Sequence, residues 1–385
     1  MPTKKTTTGR RVIDNVPGVN YMQDGFCPFA SSLRSLLASQ GQEVTTRDIM
    51  ALSGVAFRMT WNTAEWDPGN MGLGTFGPGP LRQGIRAFGY APRFLVRESW
   101  WPGAEGDDVE LLSDTKAEAA FRRAILRSVK DGMPVIAFGV VGPPEESLVF
   151  GYDKAGDVLI GWSCMDDKHP KSQREKSGAF RKRKWFPETR GIAVIERKLA
   201  SPQRAKAVDG ALAWAYHMMT HPTTGTHLHG VAAYDGWAVG MRQDEAFPDK
   251  AETIQQRRYT VWDGLIMLSQ RNVAAAFLEQ EAKRKRKVAE HLLRAADLLR
   301  RDGEFGRLIA KALGGPGLDH KFMVESAARA DAANYIRLAR DAHLGAQREI
   351  HAVLTDLGVE APPPPPIASI GALSPPPLAK RREPR

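Results

Sequence analysis

The residues with the clearest chemical potential lie near the N-terminus, within residues 23–33. Cys27 stands directly before Pro28, and proline suits the first position of a helix. Apolar residues follow at the spacing of one buried helical face: Phe29, Leu33, Leu36 and Leu37. Backbone N–H groups and the dipole at a helix N-terminus favour a thiolate, the nucleophilic form of cysteine. The pattern therefore predicts a nucleophile at Cys27, and the alternative is a small buried apolar residue.

A nucleophilic cysteine needs a group that moves protons, and His169 is one candidate for that role. It lies in a polar loop, Asp166-Asp167-Lys168-His169-Pro170. Closure of this loop can bring the imidazole near Cys27. The alternative is a side chain that faces solvent.

Four further histidines lie close together in the sequence: His217, His221, His227 and His229. The first two are four residues apart, so they would share one face of a continuous helix. Pro222 and Gly225 interrupt a helix at that point, and no HExxH pattern is present. We therefore predict no metal site. No glycine-rich phosphate loop stands between a strand and a helix, so no cofactor is predicted either.

The first half of the chain, which must position Cys27, combines helices and strands. Apolar residues at helical spacing predict helices over residues 28–40, 46–54, 81–88 and 114–130. Strands are predicted for residues 91–96, 133–141, 147–152, 157–162 and 192–195, with a hairpin turn at 153–156. Residues 61–80 are rich in Gly and Pro and are predicted to form a long loop. Helices followed by neighbouring strands indicate an α+β fold.

Beyond about residue 200 the patterns are helical only. They cover residues 205–219, 230–241, 251–281, 288–299, 305–313 and 322–357, and antiparallel helices with short connections are the simplest arrangement. The segment after residue 359 is rich in proline and ends in basic residues, so it is predicted to be disordered. The predicted organisation is a flexible N-terminal arm (1–15), an α+β domain (16–199), an all-α helical domain (200–359) and the disordered tail (360–385).

Composition places the chain among globular proteins with room for two domains. It has 385 residues, 42% hydrophobic and 25% charged. No apolar run approaches the ~20 residues that span a bilayer. The first residues are polar and basic with no apolar segment after them, which argues against a secretory signal. Two cysteines do not make a disulfide framework, so a cytoplasmic location is expected.

The net charge of +10 favours an acidic partner, such as an acidic carrier protein, a nucleic acid or an anionic membrane surface. The basic residues form runs at 181–184, 283–287 and 380–382, each of which is typical of a solvated helical face or a tail. No nucleic-acid motif accompanies them, so nucleic-acid binding is kept only as a third hypothesis. The sequence does not determine the oligomeric state.

Three short stretches of the sequence resemble bacterial proteins with a butirosin-biosynthesis-H-like N-terminal domain. They are Phe26-Cys27-Pro28-Phe29-Ala30-Ser31-Ser32-Leu33, Leu52-Ser53-Gly54-Val55-Ala56-Phe57-Arg58, and the hairpin segment 150–163. That family belongs to the papain-like cysteine peptidases, near the C39-like peptidases that process bacteriocin leaders. The resemblance covers roughly residues 12–198. The helical segment after it resembles, more weakly, the helical C-terminal region of such proteins.

The resemblance implies a papain-like α+β domain with Cys27 as nucleophile on its first helix. The implied chemistry is transfer of an acyl group from a carrier-protein thioester to an amine, through an acyl-enzyme on the cysteine. A glutamine shortly before the cysteine helps form the oxyanion hole in papain-like enzymes, and Gln23 is the candidate here. The backbone N–H of Cys27 is a second candidate donor.

The sequence departs from the family at both partners of the nucleophile. Papain-like enzymes place a histidine where this chain has Glu145-Glu146-Ser147, and an Asp or Asn where it has Gly161-Trp162-Ser163. Either glutamate can act as base if burial raises its pKa. The predicted function is acyl transfer or amide hydrolysis through Cys27, on a small-molecule or peptide substrate, with Gln23, Glu145, Glu146 and His169 as supporting candidates. The alternative is a papain-like binding module that has lost catalysis.

Overall fold

A computed structural model describes residues 9–22, 26–63, 66, 72–100, 106–165, 170, 173–199, 204–221 and 226–360. The chain divides into two compact units. Met1–Ser53 and Gly72–Ala207 form the first, called here the α+β unit, and Gly54–Met71 and Val208–Arg385 form the second, the helical unit. The predicted boundary at residues 199 and 200 lies near the observed one. Residues 54–71, however, belong to the helical unit, whereas the prediction includes them in the α+β domain.

The α+β unit is built on one sheet of mostly antiparallel strands. The strands are β1 (Arg11–Val12), β3 (Tyr90–Arg97), β4 (Val109–Leu112), β5 (Val135–Phe138), β6 (Glu146–Asp153), β7 (Val158–Trp162), β8 (Phe180–Arg183) and β9 (Gly191–Lys198). Their order is β4-β3-β9-β5-β6-β7-β8, with β1 paired to β6 and only β3 and β4 parallel among these strands. The predicted mixed α+β character is confirmed.

Four helices accompany the sheet: α1 (Pro28–Ser39), α2 (Thr46–Leu52), α3 (Gly79–Ala87) and α4 (Asp114–Lys130). Helix α4 buries Phe121 and Ile125 in one apolar core with strand residues such as Leu159 and Phe180. A second small cluster contains Phe150, Ile160 and Ala179. Because side chains alternate along a strand, β7 contributes to both clusters through Leu159 and Ile160.

Two predictions about the α+β unit are wrong. Part of the predicted flexible arm forms β1, because Gly151 lets the backbone come close: a Cβ there would lie 3.0 Å from the Val12 side chain. The basic run at 181–184 begins in strand β8 rather than in a helical face or a tail. Strand β8 lies at the edge of the sheet, where charged side chains are common because they discourage pairing with other chains.

The helical unit contains α5 (Arg204–Thr220) from residue 208 onward, and all of α6 (Gly230–Gly240), α7 (Ala251–Ser269), α8 (Arg271–Arg284), α9 (Ala289–Ala312), α10 (His320–Val324) and α11 (Ser326–Leu357). It also contains a two-stranded antiparallel ribbon of β2 (Thr60–Asn62) and β10 (His227–His229). The predicted long loop at residues 61–80 is therefore wrong at its start, because residues 61 and 62 belong to β2. Trp61 in β2 is buried and stacks on Trp237 of α6 with ring centroids 5.3 Å apart, which holds the strand in the unit's core.

Helix α9 joins two segments that the sequence predicts as separate helices. The predicted break falls near Gly303 and Gly306, residues that weaken an isolated helix. In the folded chain both glycines face the end of α7 closely. A Cβ at Gly306 would lie 3.0 Å from the Leu268 side chain, and one at Gly303 would lie 3.2 Å from the Leu268 carbonyl oxygen. Close packing therefore favours glycine at these positions and outweighs its low helix propensity.

In the described part of the chain, no helix combines the length and the apolar character needed to cross a bilayer. The predicted disordered tail lies outside the described residues from position 361 onward, as do residues 1–8 of the predicted arm.

Candidate functional site

Cys27 stands at the N-terminal end of α1, where the sequence predicts it. Its backbone is extended (φ −140°, ψ 92°), Pro28 begins the helix, and the Cys27 carbonyl oxygen accepts a hydrogen bond from the Ser31 N–H at 3.0 Å. The cysteine forms no disulfide and is 3% exposed. The residue therefore lies at the positive end of the helix dipole, with most of its surface covered by neighbouring residues.

Ser32, just over one helical turn after Cys27, connects α1 to the start of β6. Its hydroxyl donates to the carbonyl oxygen of Glu146 at 3.2 Å, and the serine is fully buried. Glu146 is the first residue of β6 and is itself buried. The start of β6 thus lies beside α1, and its first residue is a buried glutamate.

Tyr21 connects the same point of α1 to the end of β7. Its hydroxyl donates to the carbonyl oxygen of Trp162 at 3.0 Å and lies 3.3 Å from the Ser32 Oγ. Trp162 is the last residue of β7. The start of β6 and the end of β7 therefore both lie next to the N-terminal half of α1.

Ser163 directly follows β7, at the position where the family resemblance predicts an Asp or Asn. Its Oγ accepts a hydrogen bond from the N–H of Met165 at 3.1 Å and donates to the carbonyl oxygen of Val141 at 3.4 Å. The side chain is buried and stabilises the turn that leaves β7. Its hydroxyl cannot supply the negative charge by which a carboxylate would stabilise an imidazolium.

Of the five predicted site residues, the structure describes three. Cys27 and Glu146 belong to neighbouring elements, and Glu145 is half-buried in the connection between β5 and β6, where its carbonyl oxygen accepts from the N–H of Gly139 at 3.2 Å. Gln23 and His169 lie outside the described residues. His169 is nevertheless the only histidine in the sequence of the α+β unit, because the other eight all lie at residue 217 or beyond.

Sequence reasoning missed Tyr21 and Ser32, the two side chains that join the elements of this site. One signal was present: helix α1 carries serines at 31, 32 and 35 among its apolar residues, and all three are buried. A buried hydroxyl requires a hydrogen-bond partner, so polar residues on an otherwise apolar helix indicate contacts to backbone or to other polar groups. Only the folded chain identifies those partners.

The histidines of the helical unit form a second cluster. The ring centroids of His217 and His221 lie 5.0 Å apart, and the ring centroids of His221 and His229 lie 4.9 Å apart. The His229 Nδ1 lies 3.3 Å from the Thr60 Oγ1. Burial, reinforced by His221, His227 and His217, lowers the pKa of His229 to about 3. In the described ranges, no three His, Cys, Asp or Glu side chains are placed to hold a metal ion.

No family model matches the sequence, and no curated protein matches it. The family resemblance carried by residues 26–33, 52–58 and 150–163 therefore remains a prediction.

Two side chains of the α+β unit belong to residue types that serve in nucleophilic catalysis. The unit offers a thiol at a helix N-terminus, where peptide N–H groups stabilise negative charge. It also offers a buried carboxylate at the start of β6. Such a site can form a covalent bond to a carbonyl carbon if a neighbouring group accepts and returns the proton.

Proposed function

We propose that the α+β unit is a papain-like cysteine enzyme that transfers an acyl group, or hydrolyses an amide, through a thioester on Cys27. The main support is the position of Cys27 directly before α1, together with the hydrogen bond from Ser32 to the first residue of β6. This hydrogen bond holds the helix that follows the thiol against β6. In the proposal, β6 corresponds to the strand that carries the proton-transfer residue in papain-like enzymes. The proposal includes a small-molecule or peptide acyl donor, with an acidic carrier protein as one form of that donor.

The proposed reaction has two covalent steps. The Cys27 thiolate attacks the acyl carbonyl carbon, and the leaving thiol or amine departs with a proton from the general acid. An amine or water then attacks the Cys27 thioester and gives one proton to the same residue, which now acts as a base. The amide or acid is released and Cys27 leaves as the thiolate. The negative oxygen of each tetrahedral intermediate would be stabilised by the Cys27 N–H, with the Gln23 side chain as second donor. Glu146 and His169 are the candidates for the proton-transfer residue.

A second candidate function is a binding module that uses the same fold without catalysis. Two observations favour it: Cys27 is 3% exposed, and a carboxylate occupies the strand position of the expected imidazole. In this case the chain would bind the substrate class but form no covalent intermediate.

Acylation of Cys27 distinguishes the two functions. We expect the protein to acquire one acyl group when it is incubated with a small acyl thioester, and intact-protein mass spectrometry with peptide mapping should locate it on Cys27. Cys27→Ser should lower the acylation rate by at least about 1,000-fold, because the nucleophile is lost. Cys164→Ser is the matched control, since Cys164 is the other cysteine of the chain, and it should react like the wild type. Labelling of Cys164 alone, or of neither cysteine, would support the binding module.

The same assay identifies the proton-transfer residue. We compare Glu146→Gln with His169→Asn, because each substitution removes the titrating group and keeps a polar side chain. Loss of a general base lowers rates by about 100-fold to 10,000-fold. We expect one of the two variants to show that loss and the other to retain most activity. Full activity in both variants would exclude both residues from proton transfer and would contradict this part of the mechanism.

A further inference from the structure

A basic cavity in the α+β unit is lined by other residues than Cys27, Glu145 and Glu146. It has a volume of about 500 Å³ and lies between α4, the turn after β6 and the end of β8. Among its lining residues are Arg122, Lys154, Arg183, Lys184 and Phe186. This volume is within the range of small-molecule sites, which is about 300–1,000 Å³.

The positive charge of the cavity is only partly neutralised. Arg122 binds both lining carboxylates, with Nη1 at 2.6 Å from Asp157 and Nη2 at 3.0 Å from Glu118. Lys154, Arg183 and Lys184 form no ion pair with any residue that the structure describes. Three cationic side chains therefore line one cavity with no described carboxylate within ion-pair distance, while both lining carboxylates are bound to Arg122.

Both lysines are held in an unusual backbone conformation. Lys154 has φ +51° and Lys184 has φ +48°, in the left-handed region that side chains other than Gly and Asn rarely adopt. Residues in such conformations concentrate at functional sites, where the surrounding structure maintains them. The sequence of a plain turn would favour Gly or Asn at these positions, and this chain has lysine at both.

One buried indole joins the two segments that carry these lysines. Trp185, directly after Lys184, is 1% exposed, and its Nε1 donates to the carbonyl oxygen of Gly156 at 2.9 Å. Gly156 ends the turn that begins at Lys154. In the β7–β8 ladder Arg183 pairs with Val158, so the third cation is positioned by the sheet itself. The backbone positions of the three cations are thus fixed relative to one another.

We propose that this cavity binds the phosphate group of a small phosphorylated ligand. A phosphate monoester carries about −1.5 to −2 charges at neutral pH, which suits three uncompensated cations better than the single charge of a carboxylate. Arginine can bind two phosphate oxygens at once, and lysine adds a point charge. Phe186, Pro187 and Val158 supply an apolar wall for the remainder of the ligand. The site is independent of Cys27 and goes beyond the proposed acyl chemistry.

The test is calorimetric titration of the full chain with pyrophosphate, used as a probe for the phosphate group. The variant is Lys154→Asn combined with Lys184→Asn, because asparagine tolerates the left-handed conformation better than most residues and should preserve the fold. We expect the wild type to bind and the variant to bind at least about tenfold more weakly, since two charge-assisted contacts are lost. Circular dichroism checks that the variant is folded.

The matched control removes the same charge elsewhere in the unit. Lys130→Gln combined with Lys198→Gln changes two exposed lysines that do not line the cavity, and binding should stay within about twofold of the wild type. An equal loss in the control, or no binding by the wild type, would overturn the proposal. Tighter binding of a single-stranded oligonucleotide, with affinity that falls steeply with salt, would show that the cations bind a nucleic-acid backbone and would also overturn it.

Discussion

Asp302→Asn is expected to lower the free energy of unfolding of the helical unit by about 3–5 kcal/mol. Asp302 and Arg271 are both fully buried, and the Arg271 Nε lies 2.7 Å from the Asp302 Oδ2. The substitution leaves the guanidinium without its counter-charge in a site from which water is excluded. Urea denaturation followed by circular dichroism measures the change.

The other groups around this ion pair cannot replace the lost charge. Two further Arg271 nitrogens donate to the carbonyl oxygens of Ala56 at 2.7 Å and Arg58 at 2.8 Å. The Tyr234 hydroxyl donates to Asp302 at 2.7 and 2.9 Å. Burial raises the pKa of Tyr234 well above its ordinary value, so the tyrosine remains a neutral donor. Asp302 is therefore the acceptor on which both Tyr234 and Arg271 depend.

The control for this prediction lies on the same helix. Asp297 pairs with Arg301 at 2.8 Å, but its side chain is 59% exposed, so Asp297→Asn should change the stability by less than about 0.5 kcal/mol. Replacing both partners of the buried pair, as in Arg271→Met with Asp302→Leu, should cost less than Asp302→Asn alone, because no unpaired charge remains. A cost of Asp302→Asn below about 1 kcal/mol would contradict the prediction.

Local patterns in the sequence were sufficient for the main elements of the fold. The helix at Cys27 and the hairpin of β6 and β7 are predicted correctly in type, because helical spacing and turn chemistry act over a few residues. The incorrect predictions concern elements that are stabilised by residues in another strand or helix. Strand β8 is short and basic, and it is a strand because it pairs with β7. Helix α9 continues through Gly303 and Gly306 because α7 packs closely there.

In the candidate site, too, the sequence predicts features that depend on neighbouring residues but not contacts between distant ones. Cys27 before Pro28 is a local signal, and it correctly places the cysteine at the start of α1. The link from Ser32 to Glu146 spans 114 residues, and the link from Tyr21 to Trp162 spans 141. No periodicity predicts such pairs, since they depend on the way the strands pair in the folded sheet. The sequence also does not predict the buried Arg271–Asp302 pair, because two charged residues 31 positions apart are ordinarily expected on the solvated surface.

Acidification from about pH 7.5 to about pH 5 is expected to destabilise the helical unit by about 2 kcal/mol through His229 alone. In the folded chain burial is the largest cause that lowers the pKa of His229 from 6.5 to about 3, followed by the neighbouring histidines His221, His227 and His217. In the unfolded chain the imidazole takes up a proton below about pH 6.5. The unfolded state therefore binds more protons between these two pKa values.

Stability therefore decreases as the pH falls, because protons bind preferentially to the unfolded state. The full contribution of His229 to stability is present above about pH 6.5, and it is lost progressively as the pH falls towards about 3. The pKa of His217 is also lowered, by burial first and by His221 second, so His217 acts in the same direction. Urea denaturation at the two pH values measures the loss.

Two variants show whether the imidazole of His229 causes this loss. His229→Asn removes the titrating ring and retains a polar group near the Thr60 hydroxyl, so the difference in stability between the two pH values should shrink by about 2 kcal/mol. Thr60→Val removes the hydroxyl that lies 3.3 Å from the His229 Nδ1 and leaves the imidazole in place. It should lower stability at both pH values and preserve the difference. If the difference in stability between the two pH values is unchanged in His229→Asn, groups other than His229 cause the acid sensitivity, and the prediction is wrong.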